Sequence, residues 1–79
     1  MGDDIYVRVE GIFRVMLGEE HFTTFHATAT MDDVDGWTSL TFLEMIMALE
    51  NEFNIRIDGL DAANLTSVPN ILEYLKTQP

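Results

Sequence analysis

Ser39 is the side chain of this sequence best placed for covalent chemistry, because its hydroxyl stands at the start of a predicted helix. A serine becomes a catalytic nucleophile when a neighbouring base activates it, and His26 and Asp35 are the residues that would complete a triad. Their spacing does not support that arrangement, and the sequence contains no Gly-x-Ser-x-Gly elbow. We therefore do not expect a hydrolase.

The acidic stretch before Ser39 resembles part of a calcium-binding loop. Asp33 and Asp35 can be aligned with positions three and five of an EF-hand loop, which places Gly36 at position six. The same alignment puts Met31 at the first ligand position and Phe42 at the twelfth, where oxygen ligands are required. His21 and His26, with Glu19 and Glu20 nearby, form no defined metal-binding pattern either. No dedicated metal site is predicted.

The composition limits the other classes of function. The 79 residues predict a single domain over 1–79, and 14 acidic against four basic side chains give a formal net charge of −10. That charge repels nucleic-acid phosphates and anionic lipids, so we expect neither nucleic-acid binding nor membrane insertion, whereas basic protein surfaces are attracted. The chain has no cysteine for a disulfide or a thiolate. Its first residues, MGDDIYVRVEG, lack the pattern of a signal peptide, so a cytoplasmic location is expected. A short domain without an obvious symmetric interface is expected to be a monomer.

Hydrophobic periodicity predicts helices that would position Ser39. A first helix with a single apolar stripe is predicted, and it is expected to stop at Gly18. The valines of this segment also permit a strand. The stripe consists of Ile5, Val9, Ile12, Phe13 and Met16. A long connection to Thr38 follows, and four large apolar side chains are its expected anchors, Phe22, Phe25, Val34 and Trp37.

The second half of the chain contains the remaining elements. A second helix is predicted from about Ser39 to Phe53, then a short helix that Asp61 would cap. Ser67 opens the last helix, with Pro69 in its first turn and an apolar stripe of Val68, Ile71, Leu72 and Leu75. The sequence thus predicts a small all-α, four-helix bundle with a long first loop and a short third helix.

The second helix has more apolar residues than one core-facing stripe requires. At 100° per residue, one arc of it contains Phe42, Met45, Ile46, Leu49 and Phe53, which we take as the core face. A separate arc contains Leu40, Leu43 and Met47, bordered by Glu44 and Glu50. This second arc either packs beneath the long loop or serves as a docking surface, and spacing alone favours neither.

The residues at the start of this helix also have two interpretations. Thr38 or Ser39 can act as an ordinary N-cap whose oxygen accepts a backbone N–H. A helix N-terminus also stabilises a phosphate through its free N–H groups and its positive dipole end. A phosphoester on Ser39 would therefore be favoured at this position.

The segment DGWTSLTFLEMIMALENEFNIRI resembles the second-helix region of acyl carrier proteins, whose signature is Asp-Ser-Leu before an acidic amphipathic helix often ending in Leu-Glu-x-x-Phe. ALENEF matches that ending, and the preceding helix, long loop, short third helix and terminal SVPNILEYL follow in the family's order. The resemblance implies a non-catalytic carrier with 4′-phosphopantetheine on Ser39, donated from coenzyme A by a phosphopantetheinyl transferase using magnesium. It implies acyl groups carried as thioesters on the arm, and acyl-activating, acyl-transferring and synthase enzymes as partners. The docking residues would be Leu40, Leu43, Glu44, Met47 and Glu50.

One position departs from the family's signature, since Thr38 stands where the family has aspartate before the serine. Without that carboxylate, a transferase that reads it through Arg or Lys loses a contact. The preceding DGW is more similar to the specialised carriers of polyketide, peptide or cell-envelope pathways than to the housekeeping fatty-acid carrier. A specialised fatty-acid, polyketide or related pathway is therefore expected. The competing hypothesis is an unmodified acidic interaction module, in which Ser39 only caps the helix and its outer face binds a fixed partner.

Overall fold

The computed structural model describes the backbone of residues 2–78 and the side chains of residues 4–78, and within that range the fold is all-α. Four helices follow in the order α1 (Gly2–Phe22), α2 (Ser39–Phe53), α3 (Gly59–Ala62) and α4 (Val68–Lys76). The predicted four-helix bundle with a long first loop and a short third helix is confirmed. No helix in the described part of the chain is long and apolar enough to cross a lipid bilayer.

Helix α1 extends beyond the stop predicted at Gly18. Gly18 has non-helical dihedral angles, φ 80° and ψ 161°, but the chain re-enters helical geometry and continues to Phe22. The predicted stripe faces the core, with Val9 and Phe13 fully buried, and Leu17 adds a buried side chain one turn later. The alternative strand interpretation is wrong. Gly18 therefore redirects the helix rather than ending it.

Helix α2 has the predicted bounds, and both of its ends are closed by local interactions. Thr38 is the N-cap, with extended backbone angles, and Asn54 closes the other end in the left-handed conformation at φ 54°. The N–H of Asn54 donates to the carbonyl of Glu50, which satisfies one of the last carbonyl groups of the helix. Met45, Ile46 and Leu49 are buried, as the core-face assignment predicts.

The two C-terminal helices begin at short polar caps. Asp58 caps α3 by accepting the N–H of Asp61 at 2.9 Å, so the predicted cap at Asp61 is wrong by one helical turn. Asp58 has the extended backbone that an N-cap requires, whereas Asp61 lies inside the helix. Ser67 caps α4 by accepting the N–H of Asn70 at 3.1 Å, and a proline stands in the first turn, both as predicted.

The long loop, residues 23–38, crosses one side of the bundle and contributes to the core. Phe25, Val34 and Trp37 are buried, which confirms three of the four expected anchors. Phe22 is half-buried but is the last residue of α1 rather than part of the loop, because the helix continues beyond Gly18. The ring of Phe13 lies between two of them, with centroid distances of 4.8 Å to Phe25 and 4.9 Å to Trp37. The indole Nε1 of Trp37 is buried without a hydrogen-bond partner among the described residues.

The middle of the loop is fastened to the start of α4 by backbone hydrogen bonds. The N–H of Met31 donates to the carbonyl of Thr66, and the N–H of Val68 donates to the carbonyl of Ala29, both at 2.8 Å. Ala29 is fully buried at this junction. The loop is thus held at its centre by α4 and near its end by α1.

Helices α1 and α2 run antiparallel along their contact. Arg8, near the start of α1, pairs with Glu52, near the end of α2, through Nε to the Glu52 carboxylate at 2.9 Å and Nη2 to the Glu52 carbonyl at 2.6 Å. The Arg8 guanidinium also lies 4.1 Å from the centroid of the Phe53 ring. Because the two helices are antiparallel, the N-terminus of α2 lies beside the C-terminal turn of α1.

Candidate functional site

Ser39 is the first residue of α2, and its side chain is exposed. The hydrogen bonds that hold this turn in the described part of the chain are made by Thr38 and Thr41 and do not use the Ser39 hydroxyl. The hydroxyl therefore faces solvent without an internal partner to lose on modification. The triad is not formed: Asp35 contacts His21, and His26 Nδ1 lies 3.2 Å from the hydroxyl of Thr28.

The cap of α2 is Thr38 rather than Ser39. The N–H of Thr38 donates to Thr41 Oγ1 at 2.7 Å, whereas the reciprocal bond from the Thr41 N–H to Thr38 Oγ1 is long, at 3.4 Å. The Thr41 hydroxyl donates to the carbonyl of Gly36 at 2.7 Å. These contacts form a capping box in which threonine occupies the position usually held by Glu or Gln. Sequence reasoning missed Thr41, although the Thr-x-x-Thr spacing was visible.

The start of α2 presents the free N–H groups and the positive dipole end of a helix. Its first turn contains no acidic side chain, so no carboxylate neutralises the free N–H groups and the positive end of the helix dipole. Two carboxylates of the preceding loop have partners: Asp35 contacts His21, and Asp33 accepts the N–H of Thr30 at 3.0 Å. That backbone hydrogen bond lowers the pKa of Asp33 below its ordinary value. The site suits an attached phosphate.

A shallow apolar groove of about 330 Å³ opens beside Ser39. It lies between the first turns of α2, the middle of the long loop and the residues after α3, and its lining is Met31, Ser39, Phe42, Leu43, Ala63 and Thr66. Ile46, Leu65 and Ile71 are buried in the core and do not line this groove. The groove therefore offers an apolar surface within reach of any group attached to Ser39.

The outer arc of α2 is exposed along its length. Leu40, Leu43 and Met47 are 67%, 61% and 69% exposed, so this arc does not pack beneath the loop. Glu44 is exposed beside it, whereas Glu50 is half-buried and accepts the N–H of Ile57 at 2.7 Å. One border carboxylate is thus free for a partner, and the other also supports the chain after α2.

The residues considered as metal ligands do not converge. Within the part of the chain that the structure describes, no group of three or more His, Asp or Glu side chains is arranged to hold a metal ion. Asp33 and Asp35 instead make the loop contacts given above.

Comparison with known proteins decides the family. The family described as "Phosphopantetheine attachment site" matches residues 9–75, which includes the whole of α2 and the loop before it. The chain belongs to the acyl carrier protein family. An acyl carrier protein of Trieres chinensis is 33% identical over 78 residues, covering 99% of this chain and 96% of that protein. As a member of the family, the chain is a non-catalytic carrier that holds 4′-phosphopantetheine covalently and works with transferase and synthase enzymes.

The site fits that cofactor. A carrier needs no general base of its own, and an exposed hydroxyl on a helix N-terminus without carboxylates receives a phosphodiester favourably. The apolar groove beside it offers a surface for the organic part of the arm.

Proposed function

We propose that Ser39 is the attachment point of the 4′-phosphopantetheine arm and that acyl groups are carried as thioesters on the arm's terminal thiol. The observation that carries the proposal is an exposed hydroxyl with no structural role, placed at the N-terminus of α2 where Thr38 has taken over the capping. In the transfer, Ser39 Oγ loses its proton and forms a bond to phosphorus, while the bond from that phosphorus to the adenosine 3′,5′-bisphosphate part of coenzyme A breaks. The transferase and its magnesium supply the acid–base chemistry.

The outer arc of α2 is the proposed docking surface for the transferase and for acyl-activating, acyl-transferring and synthase enzymes. Leu40, Leu43 and Met47 provide apolar area, and Met47 can adjust its shape to different partners. Glu44 and Glu50 border the arc with negative charge that a basic partner surface would match. The covalent arm raises the effective concentration of the acyl group at the docked enzyme, so weak and rapidly released contacts suffice.

The pathway we propose is a specialised fatty-acid, polyketide or related one, because the Gly-Trp before the attachment segment is more typical of those carriers. Trp37 is buried against Phe13, so its role in the fold accounts for the residue type without a contact to cargo. The net charge of −10 opposes self-association, which supports a monomer.

Intact mass spectrometry after incubation with coenzyme A, magnesium and a broad-specificity phosphopantetheinyl transferase tests the attachment. We expect one phosphopantetheine increment in the unmodified wild-type chain and none in Ser39→Ala. Ser67→Ala is the matched control, because Ser67 caps α4 in the same way that a structural serine would cap α2. An increment that persists in Ser39→Ala, or its absence from wild type with every transferase tried, contradicts the proposal.

A further inference from the structure

The last turn of α1 packs directly on the loop that leads to Ser39. Gly36 has φ 85°, and a Cβ on it would lie 3.3 Å from Leu17 Cδ2 and 3.5 Å from His21 Cβ. His21 reaches this position because the chain is redirected at Gly18 and then continues helically to Phe22. The left-handed backbone therefore favours glycine at position 36, and a Cβ there would also crowd the end of the Leu17 side chain.

Polar contacts hold the residue before Gly36 from the same side. The His21 Nδ1 contacts the Asp35 carboxylate, and the N–H of Asp35 donates to Thr24 Oγ1 at 2.7 Å. The Thr24 hydroxyl in turn donates to the carbonyl of His21 at 3.0 Å. We call the set Leu17, His21, Thr24, Asp35 and Gly36 the α1–loop brace. It fastens the end of the loop to the end of α1 by packing, a side-chain pair and a hydrogen bond.

The brace continues into the first turn of α2. The carbonyl of Gly36 accepts the Thr41 hydroxyl at 2.7 Å and the N–H of Thr38 at 3.1 Å. Ser39 lies between these two threonines in the chain, and its own hydroxyl takes no part in the bonds of the turn. The turn that the brace holds thus sets the position of the Ser39 backbone, from which the hydroxyl projects.

We propose that the α1–loop brace is a positioning device for the modification of Ser39, an inference that rests on the proposed attachment at that residue. His21 and Asp35 are positioning residues, since neither touches the serine hydroxyl. Transfer to Ser39 requires its oxygen to stand in line with the phosphorus of a bound coenzyme A, and small errors of placement slow such reactions strongly. The side chains of His21 and Asp35 are 46% and 64% exposed, so their pairing contributes little to global stability and can be removed from a folded chain.

The first test is the kinetics of modification by a broad-specificity transferase with coenzyme A and magnesium. We expect His21→Ala and Asp35→Ala each to lower kcat by roughly tenfold, with KM changed much less, because orientation rather than docking is lost. The double variant is expected to be no slower than the slower single variant, since both remove one contact. Asp35→Asn keeps an acceptor for His21 and is expected to recover most of the wild-type kcat.

The matched control is Arg8→Ala, which removes a pair of similar exposure between α1 and α2 at the end of α2 remote from Ser39. We expect it to leave kcat at the wild-type value. A kcat lowered in Arg8→Ala as much as in His21→Ala would show a general loss of rigidity and overturn the positioning role.

Glycine replacement gives a stronger perturbation of the same contact. Gly36→Ala introduces a Cβ against Leu17 and strains a positive φ, whereas a Cβ on Gly59 meets nothing within 4 Å. We expect Gly36→Ala to lower kcat at least as far as His21→Ala, and Gly59→Ala to leave it unchanged. Equal rates for the two alanine variants, both folded, would contradict the proposal.

Amide hydrogen exchange on the unmodified chain tests the brace without the transferase. His21→Ala is expected to speed exchange at Thr38, Thr41 and Phe42, and to leave Asn54 at the other end of α2 unchanged. If the wild-type chain accepts no arm, the attachment proposal fails whatever the exchange shows. If wild type is modified and both brace variants keep its kcat, the brace proposal alone fails.

Discussion

The Thr41 hydroxyl donates to the Gly36 carbonyl across 2.7 Å, and this bond joins the first turn of α2 to the loop that precedes it. Thr41 Oγ1 also accepts the N–H of Thr38, so a single hydroxyl serves two backbone groups. A side chain between two backbone partners fixes the angle at which the loop enters the helix. Ser39 owes its exposed position to that angle, although it makes none of the bonds.

Thr41→Val removes this hydroxyl while keeping the branched shape of the side chain. We expect a loss of about 1 kcal/mol in the free energy of unfolding, and a Tm lower by about 4–8 °C for a domain of this size. Thermal melting by circular dichroism measures it. Thr66→Val, at an exposed position between α3 and α4, is the control and should melt like wild type; equal Tm values for the two variants would show that the Thr41 hydroxyl is not structural.

Attachment of the arm should stabilise the fold. The first turn of α2 has no acidic side chain, so a phosphodiester on Ser39 gains the full interaction with the helix N-terminus, about 0.3–1 kcal/mol at low salt. We expect the modified chain to melt above the unmodified chain, by a margin that shrinks as salt is added. Thr38→Asp places a carboxylate there and should reduce the margin, whereas the neutral cap Thr38→Asn should preserve it. A modified chain that melts no higher than the unmodified one would exclude this interaction.

Met47→Glu and Leu43→Glu test the docking surface. Both side chains are mostly exposed, so the variants should keep nearly the wild-type Tm. We expect kcat/KM of the transferase to fall by roughly tenfold or more, as at an interface hot spot. Val7→Glu is the matched control, because Val7 is 60% exposed but lies on α1 rather than on the arc. An equal loss in all three variants would point to added charge alone, and unfolding of either α2 variant would mean that the arc is structural.

Glu44 and Glu50 both border the outer arc of α2 but should differ in their contribution to the stability of the fold. Glu50 accepts the N–H of Ile57 at 2.7 Å, whereas Glu44 is exposed. We expect Glu50→Ala to cost about 1.5 kcal/mol in unfolding free energy and Glu44→Ala to cost almost nothing. Glu50→Gln retains an acceptor and should recover much of the stability, which chemical denaturation would show. If Glu50→Ala were as stable as Glu44→Ala, the bond to Ile57 would contribute nothing.

Asp33 should make the loop sensitive to acid. The hydrogen bond from the Thr30 N–H lowers the pKa of Asp33, so the ionised carboxylate stabilises the folded state. This contribution to folding stability is fully present above the ordinary aspartate pKa. It is lost as the pH falls through the lower pKa of the folded state. We expect the Tm difference between wild type and Asp33→Asn to be largest near neutral pH and to shrink below about pH 4. Asp32→Asn, at the exposed neighbouring position, removes one carboxylate but leaves the bond between Thr30 and Asp33, and is the matched control. If the Tm difference between wild type and Asp33→Asn did not change with pH, the ionised carboxylate of Asp33 would not be its cause.

Features that depend on local pattern were predictable from the sequence. The bounds of α2 and its two apolar arcs follow from the 100° advance per residue and agree with the burial of Met45 and the exposure of Met47. The cap at Ser67 was predictable for the same reason, since a capping residue and a proline in the first turn lie only two positions apart in the chain.

Features that depend on distant contacts, or on a choice between two neighbouring residues, could not be predicted from the sequence. Gly18 has the residue type of a helix end, and nothing local shows that the helix resumes after it. Thr38 and Ser39 are both good capping residues, and the choice follows from the bond between Thr41 and Gly36. The contact of His21 with Asp35 joins residues 14 positions apart across an irregular loop, which no periodicity predicts.

The buried indole of Trp37 gives the protein a built-in optical probe. It is the chain's single tryptophan, it lies edge-on to Phe13, and it precedes Ser39 by two residues. The fluorescence of the isolated protein therefore comes from one known place, so that the presence of the arm and loosening of the loop can each be followed by emission without adding a dye.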